Sequence, residues 1–380
     1  MNHFSARQLS RWLLSLLSLL LLVACGSAPT KPVAPPIGDF KVQQDIKLQW
    51  SLKLPAANQL NQSLPLVNQR TVVAASTGQL AVIDLSKGQV EWQAETGKTL
   101  QTGAGFDGDS VAVISASNDL MVFQEGKLVW QKRLTAQSFT NPVVAGNRVF
   151  VLLADRSVSA FDKFDGQRLW TQQRTGEPLV LKQNGVLLPF ENTLLAGLGG
   201  RLLALNPDSG QVYWDLGMAN PRGLNDLERL VDLVGSASRV NNSVCVRAFQ
   251  AQLGCVNMAR GTLAWNRSAV GTRGLSGDAM TLVGSESNGV VRAWSRGNGD
   301  RLWDTDRLKY RELSQPLWTD KGVVLADEAG TVYLLSGKDG GLLNRMTTPA
   351  SGFASAPTAV SGTQFVILAR NGLLLSYQLP

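Results

Sequence analysis

The sequence predicts an all-β fold: an eight-bladed β-propeller of four-stranded blades, its ring closed by the N-terminal strand joining the last blade. Three observations predict it. First, a glycine is followed four residues later by tryptophan six times, at Gly88/Trp92, Gly126/Trp130, Gly166/Trp170, Gly210/Trp214, Gly261/Trp265 and Gly299/Trp303. Second, the Trp-to-Trp steps are 38, 40, 44, 51 and 38 residues, and a seventh copy, Gly341/Arg345, follows 42 residues on with its tryptophan lost. Repeats of about 40–45 residues, rich in short strands, form propeller blades. Third, the last repeat, from about 356 to 380, offers three strands and stops, while an orphan strand at 46–50 ends in Trp50, 42 residues before Trp92. Joining the two leaves no open sheet edge in the ring.

Residues 1–24 read as a signal peptide: Arg7 and Arg11 precede an apolar run too short for a comfortable membrane span. The run ends in Leu22-Val23-Ala24-Cys25-Gly26. Residues 25–39 carry Pro29, Pro32, Pro35 and Pro36 and read as a tether, reaching up to ~40 Å at ~3.1 Å per residue. Residues 40–380 form one propeller domain, because turn glycines and strands run evenly throughout. About 340 residues over eight blades gives about 42 each. A seven-bladed ring is the nearest competitor, and it would leave the N-terminal strand without this role.

Each repeat follows one plan. A β-branched, apolar run (72–75, 111–114, 149–153) meets a small turn, then a second strand (79–84, 157–162, 201–206), then a polar turn and a short strand ending in tryptophan. The glycine supplies a left-handed backbone in the tight turn. The tryptophan, a large ring on an outer strand, fills the wedge between neighbouring blades. Asp84, Asp162 and Asp208 fall in the repeat turns, where a carboxylate caps backbone N–H groups.

Composition excludes several chemistries. The only histidine is His3, inside the signal, so the mature chain has no Ser-His-Asp or Cys-His mechanism and no imidazole metal site. The net charge of +7 falls to about +5 once Arg7 and Arg11 leave. No Lys/Arg run interleaves with aromatics, so no nucleic-acid partner is expected. Besides Cys25 there are only Cys245 and Cys255, in apolar strands flanking a hairpin turn. They form a disulfide in an oxidising compartment or stay as two buried thiols.

The segment around Cys25 resembles the lipobox of bacterial lipoproteins, which implies cleavage before Cys25 and its acylation. An ordinary secretory signal with a chance cysteine is the other reading. Gly26, rather than aspartate, resembles the outer-membrane sorting pattern. The repeat Gly-x-Leu-x-Ala-Leu-Asp/Asn-x-x-x-Gly-x-x-x-Trp, seen at 78–92 and 200–214, is similar to the pyrroloquinoline-quinone-type repeat. Two groups use it: quinoprotein dehydrogenases, and the BamB family of propeller lipoproteins in the β-barrel assembly machinery. From lipobox through tether to eight blades, the whole chain resembles the BamB family. That resemblance implies a non-catalytic scaffold without cofactor, held by a lipid at the periplasmic face of the outer membrane. It implies binding to the POTRA domains of BamA and the rest of the BAM complex, with unfolded outer-membrane proteins as clients. The alternative is a periplasmic quinoprotein-like dehydrogenase using a quinone cofactor. Against it, the chain has no adjacent Cys-Cys pair, and its blades are near minimal length. An envelope-contact propeller with no assembly role is a third reading.

Two loops are candidates for partner contact. Leu179 and Leu181 share one face of an extended segment, with Lys182 opposite. The longest step, Trp214 to Trp265, contains Leu224, Leu227 and Leu230 alternating with Asp226, Glu228 and Asp232, an amphipathic rim turn or a turn folded onto its own blade. In the BamB family the matching Leu-x-Leu-basic loop and the later acidic loop belong to the surface that contacts BamA. The resemblance therefore assigns Leu179, Leu181, Lys182, Glu228, Arg229 and Asp232 to partner binding. The family's basic residue is usually arginine; Lys182 keeps the charge without the planar fork.

Overall fold

The computed structural model describes residues 32–57, 63–175, 179–220, 225 and 229–380. Among them are eight four-stranded antiparallel sheets. The chain divides into Met1–Pro35 and a compact unit, Pro36–Pro380, that holds every described strand. Seven sheets take their strands in chain order, from the blade of Leu66–Val67, Arg70–Ala74, Gln79–Asp84 and Gln89–Glu95 to that of Leu317–Thr319, Gly322–Ala326, Thr331–Leu335 and Leu342–Thr347. The eighth combines Thr358–Ala359, Gln364–Leu368 and Leu373–Gln378 with the N-terminal strand Lys47–Lys53. That strand runs antiparallel to the last one, Leu52 opposite Leu374. Closure by the N-terminal strand is therefore as the sequence predicts.

The second and third strands of each blade are almost wholly buried, and the fourth alternates between solvent and core. Apolar side chains gather at the seams between blades. Val82, Val111 and Met121 join blades 1 and 2, Ala160 and Leu203 join 3 and 4, and Val283 and Val323 join 6 and 7. Ile83 and Leu374 join blade 1 to blade 8, so the closing seam is as apolar as the others.

The tryptophans occupy these seams. Each stacks on the frame glycine of the following blade: Trp130 on Gly166, Trp170 on Gly210, Trp265 on Gly299. A Cβ at Gly210 would lie 2.6 Å from the Trp170 ring, and the residue's φ is +74°, so no other residue fits without strain. The indole N–H donates to a carbonyl of the same neighbouring turn, as Trp130 does to Lys163 at 2.7 Å and Trp265 to Arg296 at 2.7 Å.

The seventh copy needs correction. Strand register places Asn344 opposite Leu334, past a bulge, where the other blades have tryptophan, as in Trp303 opposite Ala293. The frame is therefore Gly340/Asn344, not Gly341/Arg345, and Gly340 has φ +74° with Trp303 on it. The physical reason lies in ring closure. Blade 8 receives its outer strand from the N-terminus, so no glycine turn precedes it for an indole to cover. The incoming chain occupies that place, and Asn344 Nδ2 donates to the Gln44 carbonyl at 2.6 Å. Gln43 N–H donates to the Leu343 carbonyl, Arg345 lies over the Phe40 ring, and Ile37 and Phe40 pack on the seam around Trp303 and Leu342.

In the repeat turns, Asp84 accepts from the N–H groups of Ser86 and Lys87, and Asp162 from those of Phe164 and Asp165, as capping requires. In blade 4 that role belongs to Asn206, and Asp208 instead pairs with Arg148 at 2.7 Å.

Two seam tyrosines give the ring an alkaline signature. Burial pushes Tyr333 up to about 12, helped by its hydrogen bond to Asp327 at 2.6 Å. Burial alone pushes Tyr377 up to about 12. Both stay protonated in the folded ring after the unfolded chain has begun to ionise near 10. Their contribution is whole below pH 10 and is lost as pH rises to 12. The urea midpoint is expected to fall across that window, less steeply in a Y377F variant. Phenolate absorbance should show these two groups titrating late.

Candidate functional site

In a four-stranded antiparallel blade, the turn between the second and third strands shares a face of the ring with the crossing to the next blade. Three such segments meet over blades 3 to 5: the turn at Asp155 and Arg156, the crossing between Gln173 and Leu187, and the crossing between Gly217 and Leu233. Arg156 joins them. Its buried guanidinium donates from Nη1 to Asp232 Oδ1 at 2.5 Å and from Nη2 to the Leu179 carbonyl at 2.6 Å. Leu181 N–H donates to Asp232 Oδ2 at 2.8 Å. Beyond this bracket, Gly235 N–H donates to the Asn184 carbonyl at 2.8 Å, and Gly185 bridges Val234.

The two segments singled out in the sequence thus lie side by side. Leu179 is 44% exposed, Lys182 is exposed, and Leu181 is half-buried over a shallow pocket floored by Phe139, Leu152 and Val234. Asp232 differs from the expected rim acid. Its side chain is only 14% exposed, and both of its oxygens are engaged within the chain. Its role in the structure is to hold the 179–181 segment in place. Arg229 is half-buried, its N–H on the Asn225 carbonyl at 3.2 Å. Glu228 lies outside the described residues, as do Leu224, Asp226, Leu227 and Cys25.

Sequence reasoning missed Arg156. Its φ is +65°, in a turn where blades 1, 6, 7 and 8 have Gly78, Gly289, Gly330 and Gly372, and blade 2 has Asn118. An arginine there costs about 1–2 kcal/mol relative to glycine. A bulky residue in the glycine slot of a repeat was the legible signal that something holds it.

Cys245 and Cys255 are directly opposite in the strands Ser243–Ala248 and Gln252–Asn257, with Cα atoms 4.0 Å apart, and are joined as a disulfide. Both are buried in the seam with Trp265 and Trp294, and Arg296 Nη1 lies 3.1 Å from the Cys245 sulfur. This pair is core, away from the bracket.

At the axis, polar side chains bridge the ring. Ser63 Oγ, before the inner strand of blade 1, lies 3.4 Å from Ser236 Oγ of blade 5, and Asn184 Nδ2 donates to Ser63 Oγ at 3.3 Å. Ser236 N–H donates to Gln315 Oε1 at 3.1 Å, and Gln315 Nε2 donates to the Leu275 carbonyl at 3.2 Å. Among the described residues, no group of three His, Cys, Asp or Glu is placed to hold a metal ion.

A closed ring of eight short blades, with loops of blades 3 to 5 bracketed into one rim, defines a β-propeller of the pyrroloquinoline-quinone-type repeat class. The chain belongs to the BamB family. The family model described as outer membrane protein assembly factor BamB matches residues 94–305. The chain is 31% identical over 359 residues to the outer membrane protein assembly factor BamB of Burkholderia pseudomallei, covering 93% of this chain and 94% of that protein. The protein of the same name from Pseudomonas aeruginosa is 28% identical over 371 residues, covering 96% and 97%. In fold, the chain is similar to the crystal structure of BamB from Moraxella catarrhalis, with a TM-score of 0.80 and 20% identity, over 88% of this chain and 100% of that one. It is also similar in fold to a quinohemoprotein alcohol dehydrogenase from Comamonas testosteroni, with a TM-score of 0.68 and 12% identity, over 88% and 76%.

Proposed function

We propose that this chain is a non-catalytic scaffold of outer-membrane protein assembly, docking through the rim of blades 3 to 5 onto the POTRA domains of BamA. It is held at the periplasmic face of the outer membrane by a lipid on Cys25, and its clients are unfolded outer-membrane proteins. The domain division follows: signal 1–24, tether 25–39, propeller 40–380. The observation that carries the reading is the Arg156–Asp232 bracket, which presents Leu179 and Lys182 together on one face of a BamB-family ring. An exposed leucine beside a charge, on a rigid rim, suits an anchor in a partner's apolar groove. Absence of catalysis is supported by a mature chain without histidine and by the polar side chains that bridge the axis from Ser63 to Ser236.

The test is affinity for BamA in detergent. An L179A/L181A variant is expected to bind roughly tenfold to hundredfold more weakly, the loss of one or two leucine anchors. Its circular dichroism and unfolding midpoint should stay near those of the wild type. Wild-type affinity in that variant overturns the assignment of this face.

A further inference from the structure

The bracket is one end of a longer rim. On the same face, the turns and crossings that follow Asp232 are hydrogen-bonded in series. Phe249 N–H, in the turn of blade 5, donates to the Asp232 carbonyl at 2.9 Å, and Gln250 N–H donates to the Gly271 carbonyl at 3.0 Å. Ser287 N–H, in the turn of blade 6, donates to the Val270 carbonyl at 3.3 Å, and Tyr310 N–H donates to the Asn288 carbonyl at 2.7 Å. Val270 N–H is held in addition by Glu286 Oε2 at 2.6 Å. Each step passes between consecutive residues, so the rim runs unbroken from Asp232 to Tyr310. Beyond Leu179 it displays two more large apolar side chains: Val270, 51% exposed, and Tyr310, 37% exposed.

Tyr310 is the outlier of this rim. Its φ is +63°, and the other left-handed residues in the described crossings between blades are Gly97 and Gly352. A bulky side chain is strained in that conformation and glycine is not. The ring belongs to none of the apolar clusters at the neighbouring seams. Among the described residues, Lys309 Nζ lies 5.2 Å from its centroid, and its hydroxyl makes no hydrogen bond. Backbone strain of this kind persists where the surroundings impose it and gathers at sites that bind. A lone exposed apolar side chain is ordinary. An exposed ring held in a strained turn, on one rim with Val270 and Leu179, is a displayed group.

We infer that the docking face extends from Leu179 along this rim, with Val270 and Tyr310 as further apolar anchors for the same partner. This rests on the reading that a partner docks on this face. Size favours the extension. A stable interface takes about 20–30 residues a side, far more than Leu179, Leu181 and Lys182 supply. Continuity favours it too, since hydrogen-bonded backbone joins the bracket to Tyr310 at every step. The partner's chemistry follows from the side chains. It presents an apolar strip with a hydrogen-bond acceptor at one end, because Val270 offers only methyl surface while Tyr310 offers a ring and a hydroxyl. Tyrosine suits that end, as a large contact that keeps a polar tip.

The experiment measures BamA affinity of the full-length chain in detergent for Y310N, Y310F, V270A, L179A/L181A and wild type, with the unfolding midpoint of each. Asparagine tolerates a left-handed backbone, so Y310N removes the ring without adding strain. It is expected to bind roughly tenfold more weakly, the truncation cost of an aromatic anchor, with a midpoint near that of the wild type. Y310F keeps the ring and should keep most of the affinity. V270A should lose about threefold. Combining Y310N with L179A/L181A should multiply the two losses, as for separate contacts with one partner. Wild-type affinity in Y310N overturns the inference, as does a fallen midpoint, which would mark the ring as structural. The same variants are tested for capture of a urea-unfolded outer-membrane protein. A loss there with BamA affinity intact assigns the rim to clients and also overturns the inference. If the leucine variant alone weakens BamA binding, only the extension falls; if no variant does, the docking face falls too.

Discussion

Truncation of Arg247 to alanine is expected to destabilise the ring by about 3–5 kcal/mol, as breaking one side of a buried ion pair does. Arg247 is 0% exposed and crosses from blade 5 into blade 6. There it donates to the Ser285 carbonyl at 3.2 Å and pairs with Glu286 at 3.5 Å, while Glu286 Oε2 accepts from Val270 N–H at 2.6 Å. The guanidinium lies over Trp294 and fits because Gly271 and Gly284 have no Cβ; one at Gly284 would collide with Nη2. Alanine removes the cation and leaves the Glu286 carboxylate buried. The double variant R247M/E286Q should recover most of the loss, since glutamine still accepts from Val270 and methionine fills the channel. Denaturant midpoints of the four-member cycle decide it. A loss below ~1 kcal/mol in R247A would show that the pair is not held dry.

Replacing Asp232 with alanine is expected to abolish most BamA binding while leaving the blades intact. It leaves Arg156, 10% exposed, without its carboxylate, and it removes the acceptor of Leu181 N–H. The cost in stability is about 2–4 kcal/mol, below the fully buried case because both side chains keep some water. The loss of binding follows from geometry: the 179–181 segment loses the bond that orients it. A bracket and a direct contact predict different cycles. If Asp232 acts through Arg156 and the loop, then R156A/D232A binds no more weakly than D232A alone. If the Asp232 carboxylate touches the partner, the two losses add. R156G is a useful third variant, because glycine relieves the left-handed turn at φ +65° and isolates the lost ion pair from the lost strain.

The ring was legible because its determinants are local and repeated. A left-handed glycine turn followed by an indole is a property of five residues, and seven frames reveal the blade length directly. Trp50 identified the closing strand for the same reason, and the Cys245 and Cys255 hairpin set the two sulfurs opposite each other through simple two-residue periodicity. The seventh frame differs from its sequence reading by one residue because Gly340 and Gly341 are adjacent and no tryptophan marks the position; the bulge between Leu334 and Leu335 is the one the other blades share.

The candidate site was legible only in part. Leu179, Leu181 and Lys182 stand out as a motif, and Asp232 lies in the longest interval. Their juxtaposition, and the residue that causes it, were not. Arg156 and Asp232 are 76 positions apart, and the carbonyl and N–H that complete the bracket belong to a third segment.

By itself, then, the sequence determined the propeller architecture and the manner of closure and favoured eight blades over seven, because strand alternation, turn glycines and seam tryptophans act over a few residues and recur; the eight sheets of the folded ring decided the count. Only the tertiary structure decided which charges are buried, which are paired and which are left over. Closing the ring brings distant turns onto one face, and there Arg247 finds Glu286 and Arg156 finds Asp232. Pairing of that kind depends on ångström-scale distances between blades, which no local pattern encodes.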